Sequence, residues 1–304
     1  MSLKDNLLGL LIICVWGFNF VVIAWGLEGL PPLLMGGLRF LLVAMIGCWF
    51  VKRPEIPFRW LAMYAMSLGF GQFAFLFTAM AVGMPAGLAS LVLQSQALFT
   101  LLFASLLLKE RIHSHQLLAI MVAGIGLALI GAGKSVASSG HTIMTGLGFG
   151  LTLAAAALWA LGNIVNRHIS ESGYKLDLGL VVWSAWIPPL PFFLVSLFVE
   201  GGDTIVGSLL AIQWQSIIAL LYLAVVATII GYGLWSYLLG RYPVSQVAPL
   251  TLGVPVVGLS SAAVLLNEAI SLLQWVGILL VLIGLVINVL GKRIIKPRPI
   301  VTDQ

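Results

Sequence analysis

Ten apolar runs, each close to the roughly 20 residues that a helix needs to cross a bilayer, follow one another along this chain with short polar stretches between them. They fall at about 7–26, 32–51, 60–80, 86–108, 115–133, 146–166, 178–198, 214–236, 246–266 and 272–290. Backbone polar groups in hydrocarbon must be satisfied within the segment, so runs of this length can only be helices. No connection is long enough to fold as a soluble domain. Of the 304 residues 61% are hydrophobic and 8% charged, against about 45–50% and about 25% in soluble domains. The expectation is an all-α integral membrane protein with ten transmembrane helices. The net charge of +5 does not point to nucleic acid, because the basic residues form no single patch. Cys14 and Cys48 lie in apolar runs and read as small buried hydrophobes. The first run follows Lys4 with no small-residue cleavage site behind it, and reads as a retained span.

The basic residues test this parse. With the N-terminus inside, the internal segments carry Lys4; Lys52, Arg53 and Arg59; Lys109 and Arg111; Arg167 and Lys175; Arg241; and Lys292, Arg293, Lys296 and Arg298, or 13 of the 15. The external loops carry only Lys134, and the last is Arg39. A wrong helix count would scramble this bias, so the positive-inside rule predicts ten spans with both termini cytoplasmic.

The chain also repeats itself. "VWGFNFVV" at 15–22 echoes "LWALGNIVN" at 158–166, and "LLLKERI" at 106–112 echoes "VLLNEAI" at 264–270. Glu110 matches Glu268 and, at the same offset, Gln116 matches Gln274. Each repeat holds five spans, an odd number, so the two halves are predicted to insert with opposite orientation. The predicted organisation is a first five-helix repeat at 1–133, an external linker at 134–145, a second repeat at 146–291 and a basic tail at 292–304. Inverted repeats are a transporter architecture, with the substrate site near the midplane between the halves.

"WGFNF", "GLRF", "AGLASLVLQSQALFTLLFASLLLKERI" and "VAPLTLGVPVVGLSSAAVLLNEAISLLQWVG" resemble the signatures of the drug/metabolite transporter superfamily, EamA type. "MPAGLASLVLQ", "LTLAAA", "VATIIGYG" and "VAPL" are similar to the branch that exports O-acetylserine and cysteine. The resemblance covers nearly the whole chain. It implies two inverted five-helix halves around a central cavity, and export of amino acids and related metabolites across the bacterial inner membrane.

Ionisable residues inside spans are rare and functional by default. Arg39 is the clear case, and no Asp or Glu lies deep in the ten runs. Its guanidinium could hold a substrate carboxylate through two parallel hydrogen bonds. Alternatively it stretches to the external interface, or ties to carbonyls near Gly36 and Gly37, and serves packing alone. Asn19 and Asn163 sit at matching places in the two halves, and Gln72, Gln94 and Gln96 lie mid-span. Such amides either bridge helices or meet substrate. Trp16, Trp159, Tyr232 and Trp235 are candidate cavity walls or plain core aromatics. The candidate substrate-binding set is therefore Trp16, Asn19, Arg39, Gln94, Trp159, Asn163, Tyr232 and Trp235. Gly36-Gly37, the prolines at 188, 189 and 191, and Pro249, Gly253, Pro255 and Gly258 mark expected helix interruptions near the site. Gly83 and Gly87 have the spacing of close helix packing.

Glu110 and Glu268 read as helix-terminus residues, with a capping box at Ser271 and Gln274. "GAGKS" at 131–135 has Ala128 where a phosphate loop needs glycine, and it follows a membrane helix. His113 and His115 lack a third metal ligand, and no nucleophile–base grouping stands out, so no cofactor, metal or catalytic residue is expected. The implied partners are an amino-acid-like small molecule and the lipid bilayer; nothing in the sequence sets an oligomeric state. An exporter of lipophilic cations is the runner-up within transport, but it would want a membrane carboxylate. With no acid or histidine deep in a span, substrate is expected to move by facilitated diffusion.

Overall fold

The computed structural model describes residues 1–133 and 144–294. The linker carrying Lys134 and His141, and the basic tail beyond residue 294, lie outside the described residues. Among the described residues there is no strand. The helices are α1 (Leu3–Leu27), α2 (Pro32–Gly47), α3 (Phe58–Ala81), α4 (Ala86–Leu108), α5 (Ser114–Ala132), α6 (Gly146–Glu171), α7 (Leu178–Ser184), α8 (Pro189–Val199), α9 (Gly202–Leu210), α10 (Trp214–Arg241), α11 (Ala248–Leu265), entered through a single helical turn at Val244–Val247, and α12 (Leu272–Gly291).

Eight of these are long and apolar enough to cross a membrane, and α7 with α8 makes a ninth if the pair, bent by 41°, is one span. The bend falls where Pro188 and Pro189 cannot continue a helix. The second apolar run forms α2 of only 16 residues, about 24 Å long at 1.5 Å per residue. The short exposed α9 between α8 and α10 has no counterpart in the sequence reading.

Close contacts are made by small residues. A Cβ added at Gly126 in α5 would lie 2.6 Å from the Gly277 carbonyl oxygen of α12. A Cβ at Gly36 or Gly37 would meet the Phe192 or Phe193 ring of α8 at 2.4 Å. The helix runs unbroken through Gly36-Gly37, so these glycines are not an interruption; they let two aromatic rings sit against the backbone. Gly83 also departs from expectation. Its φ of 104° places it in the turn between α3 and α4, whereas Gly87 packs against Leu259 and Ala262 of α11. Cys14 is exposed on α1, not buried, and Cys48 is half-buried.

Irregularities recur in register. Wide π-type turns occupy Ala65–Gly71 of α3 and Tyr222–Ile230 of α10. Tight turns interrupt α4 at Leu93–Ser95 and open α11 at Ala248–Leu252. The described non-glycine residues with positive φ are Lys109 at 55° and Asn267 at 52°, each just past a helix C-terminus. The Glu110 N–H donates to the Ala104 carbonyl at 3.3 Å, and the Glu268 N–H to that of Ala262 at 3.4 Å. Gln116 accepts from the His113 N–H at 2.8 Å, and Gln274 from the Ser271 N–H at 2.9 Å. Every one of these last three pairings is separated by the same 158 positions.

The packing of α5 on α12 is directly testable. Gly126→Leu is expected to cost about 1–3 kcal/mol by overpacking and to lower the melting temperature in detergent. Gly124→Leu, on a side with nothing within 4 Å, is expected to leave it unchanged. Equal melting temperatures for the two variants would contradict the contact.

Candidate functional site

A cavity of about 330 Å³ opens among α1, α2, α3, α4, α6, α7, α10 and α11. Its size is at the lower end of the range of small-molecule sites, about 300–1,000 Å³. Trp16, Asn19, Arg39, Gln94, Trp159, Asn163, Tyr232 and Trp235 all lie on its wall. The π-type turns of α3 and α10 and the tight turns of α4 and α11 border it, bringing Leu68, Ala227, Leu93, Gln94 and Thr251 to its surface. Irregular helix turns are tolerated at membrane depth where they line a cavity, and π-bulges often mark functional positions.

Arg39 is buried, 3% exposed. It neither stretches to an interface nor binds the carbonyls near Gly36. Nη2 donates to Thr228 Oγ1 at 3.1 Å, and Thr228 in turn donates to the Leu223 carbonyl at 2.7 Å within the π-type turn. The guanidinium carbon stands 4.1 Å from the centre of the Phe73 ring, with Phe40 and Phe77 at 5.7 and 5.9 Å. Nε and Nη1 are buried with no hydrogen-bond partner. No described carboxylate pairs with this cation.

The two matched amides are used differently. Asn163 Nδ2 donates to Gln96 Oε1 at 2.7 Å and Thr100 Oγ1 at 3.1 Å, bridging α6 to α4. Asn19, 9% exposed, leaves its Oδ1 buried without a partner. Gln94 Nε2 reaches the Thr251 carbonyl of α11 at 3.4 Å. Trp16 donates from Nε1 to the Ala227 carbonyl at 3.0 Å and packs its ring 5.2 Å from Tyr232 and 5.3 Å from Trp235.

Several wall residues were not in the sequence-derived set: Tyr64, Gln72, Asn166, Asp177 and Ser236. Asn166 lies one helical turn beyond Asn163 on α6, a spacing that puts both on one face and could have flagged it. Asp177 caps α7 by accepting from the Gly179 N–H at 2.8 Å, and it stands where the cavity reaches the Arg167 and Arg241 end of the molecule.

The opposite end is held by two carboxylates. Glu200, after α8, accepts from the N–H groups of Leu33 and Leu34 of α2 at 2.7 and 3.1 Å. Glu268, after α11, accepts from those of Ala86 and Gly87 of α4 at 2.6 and 2.9 Å. Each thus caps a helix far away in sequence, and Glu268 does not serve the start of its own next helix as its position in the sequence suggests. Burial pushes the Glu268 carboxyl up, against the two N–H bonds that favour its charged form. A second depression of about 340 Å³ beside it is bordered by Glu28, Met84 and Leu266.

The sequence of this scaffold matches the EamA-like transporter family model over residues 3–132 and again over 146–290. The chain belongs to the EamA-like transporter family. It is a multi-pass membrane protein of a family of transporters, not of enzymes. It is 52% identical over 297 residues, covering 96% of this chain and 97% of the other, to a "Probable amino-acid metabolite efflux pump" of Escherichia coli strain K12. The protein of the same description from Salmonella typhimurium is 53% identical over 298 residues, with 97% of each chain covered. A solved crystal structure superimposes with a TM-score of 0.62 at 18% identity, covering 98% of this EamA-like chain and all of the other, which supports the fold alone.

The different uses of the two asparagines make a paired prediction. Asn163→Leu removes an interhelical bridge and is expected to lower stability by about 0.6 kcal/mol or somewhat more, the size of such bonds in membranes. Asn19→Leu breaks no hydrogen bond and is expected to leave the melting temperature in detergent unchanged or slightly raised. A larger loss for Asn19→Leu than for Asn163→Leu would reverse the assignment.

Proposed function

We propose that this protein is a secondary exporter of small amino-acid-type metabolites, cysteine- or O-acetylserine-like, from the bacterial cytoplasm across the inner membrane. The path runs through the cavity, which lies between two inverted repeats of five spans each, with both termini cytoplasmic. In this reading α2 and the bent α7–α8 pair are the second and seventh spans. The relatives named as amino-acid metabolite efflux pumps support the class of cargo. The constant 158-residue spacing of the paired helix ends supports the repeat. The distribution of Lys and Arg supports the orientation.

The observation that carries the reading is the cation without an acid. Arg39 borders the cavity with Nε and Nη1 unused, and release of Nη2 from Thr228 would complete a planar two-donor edge, Nε with Nη2 or Nη1 with Nη2, that matches a carboxylate. Substrate carboxylate would replace the missing partner, and the apolar Trp16, Trp159 and Trp235 would wall the rest of a small side chain. Export of a lipophilic cation fits less well, because the buried charge on the wall is itself positive.

Inverted vesicles loaded from outside with labelled cysteine test the reading. Wild-type protein is expected to take up label in competition with O-acetylserine. Arg39→Lys keeps the charge but not the planar fork, and loses a charge-assisted bond of about 1.5–3 kcal/mol, so uptake is expected to fall tenfold or more at unchanged insertion. Uptake by Arg39→Lys close to wild type would leave Arg39 a packing residue.

The driving force is the second test. Arg39 does not release a proton in the physiological range, and Asp177 stands at the rim. Flux is therefore expected to run down the substrate gradient, unaffected in direction by an imposed pH gradient in proteoliposomes. Uphill accumulation driven by that gradient, and lost in Glu110→Gln or Glu268→Gln, would overturn facilitated diffusion.

A further inference from the structure

The repeated helix ends match in backbone conformation and in the cap of the following helix. Lys109 and Asn267 share the left-handed conformation, Glu110 and Glu268 share the backbone bond to an alanine carbonyl, and Gln116 and Gln274 share the cap of the following helix. The two glutamate side chains part company. Glu268 crosses to the backbone after Pro85 and holds the N–H groups of Ala86 and Gly87. Glu110, at the other end of the molecule, holds no backbone. It lies against Arg167 of α6, with Nη1 at 2.8 Å from Oε2, and Arg167 is shared with Glu171 through Nε at 2.8 Å. That guanidinium keeps the Glu110 carboxyl below the usual carboxylate range.

The backbone that would be Glu110's own target is present. Pro243-Val244-Ser245 stands 158 positions after Pro85-Ala86-Gly87, the separation of the two glutamates. The helix packing explains why it is not taken. Near Glu268, Ala86–Val92 of α4 lies along α11, close enough that a Cβ on Gly87 would touch Leu259 and Ala262, and one on Gly258 would strike Ser90. Further on, Gln96–Leu108 of α4 leaves α11 for α6, and the cavity widens between Gln94, Gln96, Thr251 and Val254. The two helices form a V, shut at the Glu268 end and open at the Glu110 end.

We propose that Glu268 and Glu110 are alternating latches of the transport cycle: Glu268 on the α4 backbone shuts the outer end here, while Glu110, parked on Arg167, moves to the backbone after Pro243 to shut the cytoplasmic end when the outer latch lets go. This rests on the inverted-repeat reading, and not on the identity of the substrate. Glu268 joins the end of α11 to the start of α4, and Glu110 would join the end of α4 to the short Val244–Val247 helix that leads into α11, so the same helix pair closes at one end as it opens at the other. Arg167 is the competitor that keeps the cytoplasmic latch off. Its removal favours the outward-open form.

The test reads which side of the membrane the cavity faces, without any substrate. In a background with Cys14 and Cys48 replaced by serine, single cysteines at Ser90 and Ser236 report on the two ends, probed with an impermeant maleimide in intact cells and in inverted vesicles. Glu268→Gln is expected to raise labelling at position 90 from outside severalfold, and to lower labelling at position 236 from the cytoplasmic side. Arg167→Ala is expected to shift both in the same direction, and adding Glu110→Gln is expected to undo that shift, because the freed latch is gone. The proposal is overturned if Glu268→Gln inserts normally with labelling unchanged. It is equally overturned if Arg167→Ala leaves labelling unchanged, or shifts it in a way that Glu110→Gln does not reverse. That arm stands on exposed residues, so it decides the matter even where Glu268→Gln inserts poorly. A shift of labelling in variants that never transport cysteine would count against the amino-acid reading alone.

Discussion

Hydrocarbon offers a polypeptide backbone no hydrogen-bond partner, and every feature of this molecule answers to that constraint. Regular helices meet it internally. Where the helices depart from regularity, the freed groups face the cavity or are met by a neighbouring helix. The π-type turn of α10 is stitched by Trp16 from α1, which donates to the Ala227 carbonyl, and by Thr228, which donates to that of Leu223. The first turns of α2 and α4 have no intrahelical acceptors, and Glu200 and Glu268 supply them from other helices. The places where a single helix cannot satisfy itself are therefore the places where one helix is tied to another.

Arg39 is the side-chain form of the same problem. An arginine at the centre of a span costs about 2.5–3.5 kcal/mol on the insertion scale. Contact with the Phe73 face offsets about 1–2 kcal/mol when desolvated. The bond to Thr228 offsets about 1.5 kcal/mol more. These contacts offset much of the insertion cost but leave Nε and Nη1 buried and unsatisfied. A buried aspartate would have held the guanidinium far more tightly, and would also have used up the donors that, on the proposed function, a substrate carboxylate takes.

Much of the fold was legible because spans announce themselves by length and composition. The all-helical membrane class followed from ten apolar runs alone. What failed was local. Gly36-Gly37 looked like a break because glycine breaks isolated helices, yet against Phe192 and Phe193 the absence of a Cβ is what permits the contact. Cys14 looked buried because its neighbours are apolar, but in a bilayer the apolar face of a helix turns outward as readily as inward. The wall of the cavity was legible in part: polar residues and tryptophans in apolar runs drew notice to Trp16, Asn19, Arg39, Gln94 and Asn163. Tyr64 on the wall and Thr228 behind Arg39 did not stand out, since tyrosine and threonine are ordinary in spans and only a neighbour's position gives them a role.

The symmetry of the sequence also concealed the asymmetry of the structure. Asn19 and Asn163 are matched in position, but one bridges two helices and the other bonds nothing. Glu110 and Glu268 are matched, but one holds a guanidinium and the other a backbone. On the proposed inverted-repeat organisation, a single conformation cannot treat both halves alike, because the cavity between them opens toward one end. Matched residues must then sit in unlike surroundings, and on the latch proposal the pairs that differ most are those whose partners change as the opening changes sides. Structural pairs such as Gln116 and Gln274 keep the same bond in both halves. On that proposal the difference between the two kinds of pair separates the parts of the scaffold that stay fixed from those that exchange.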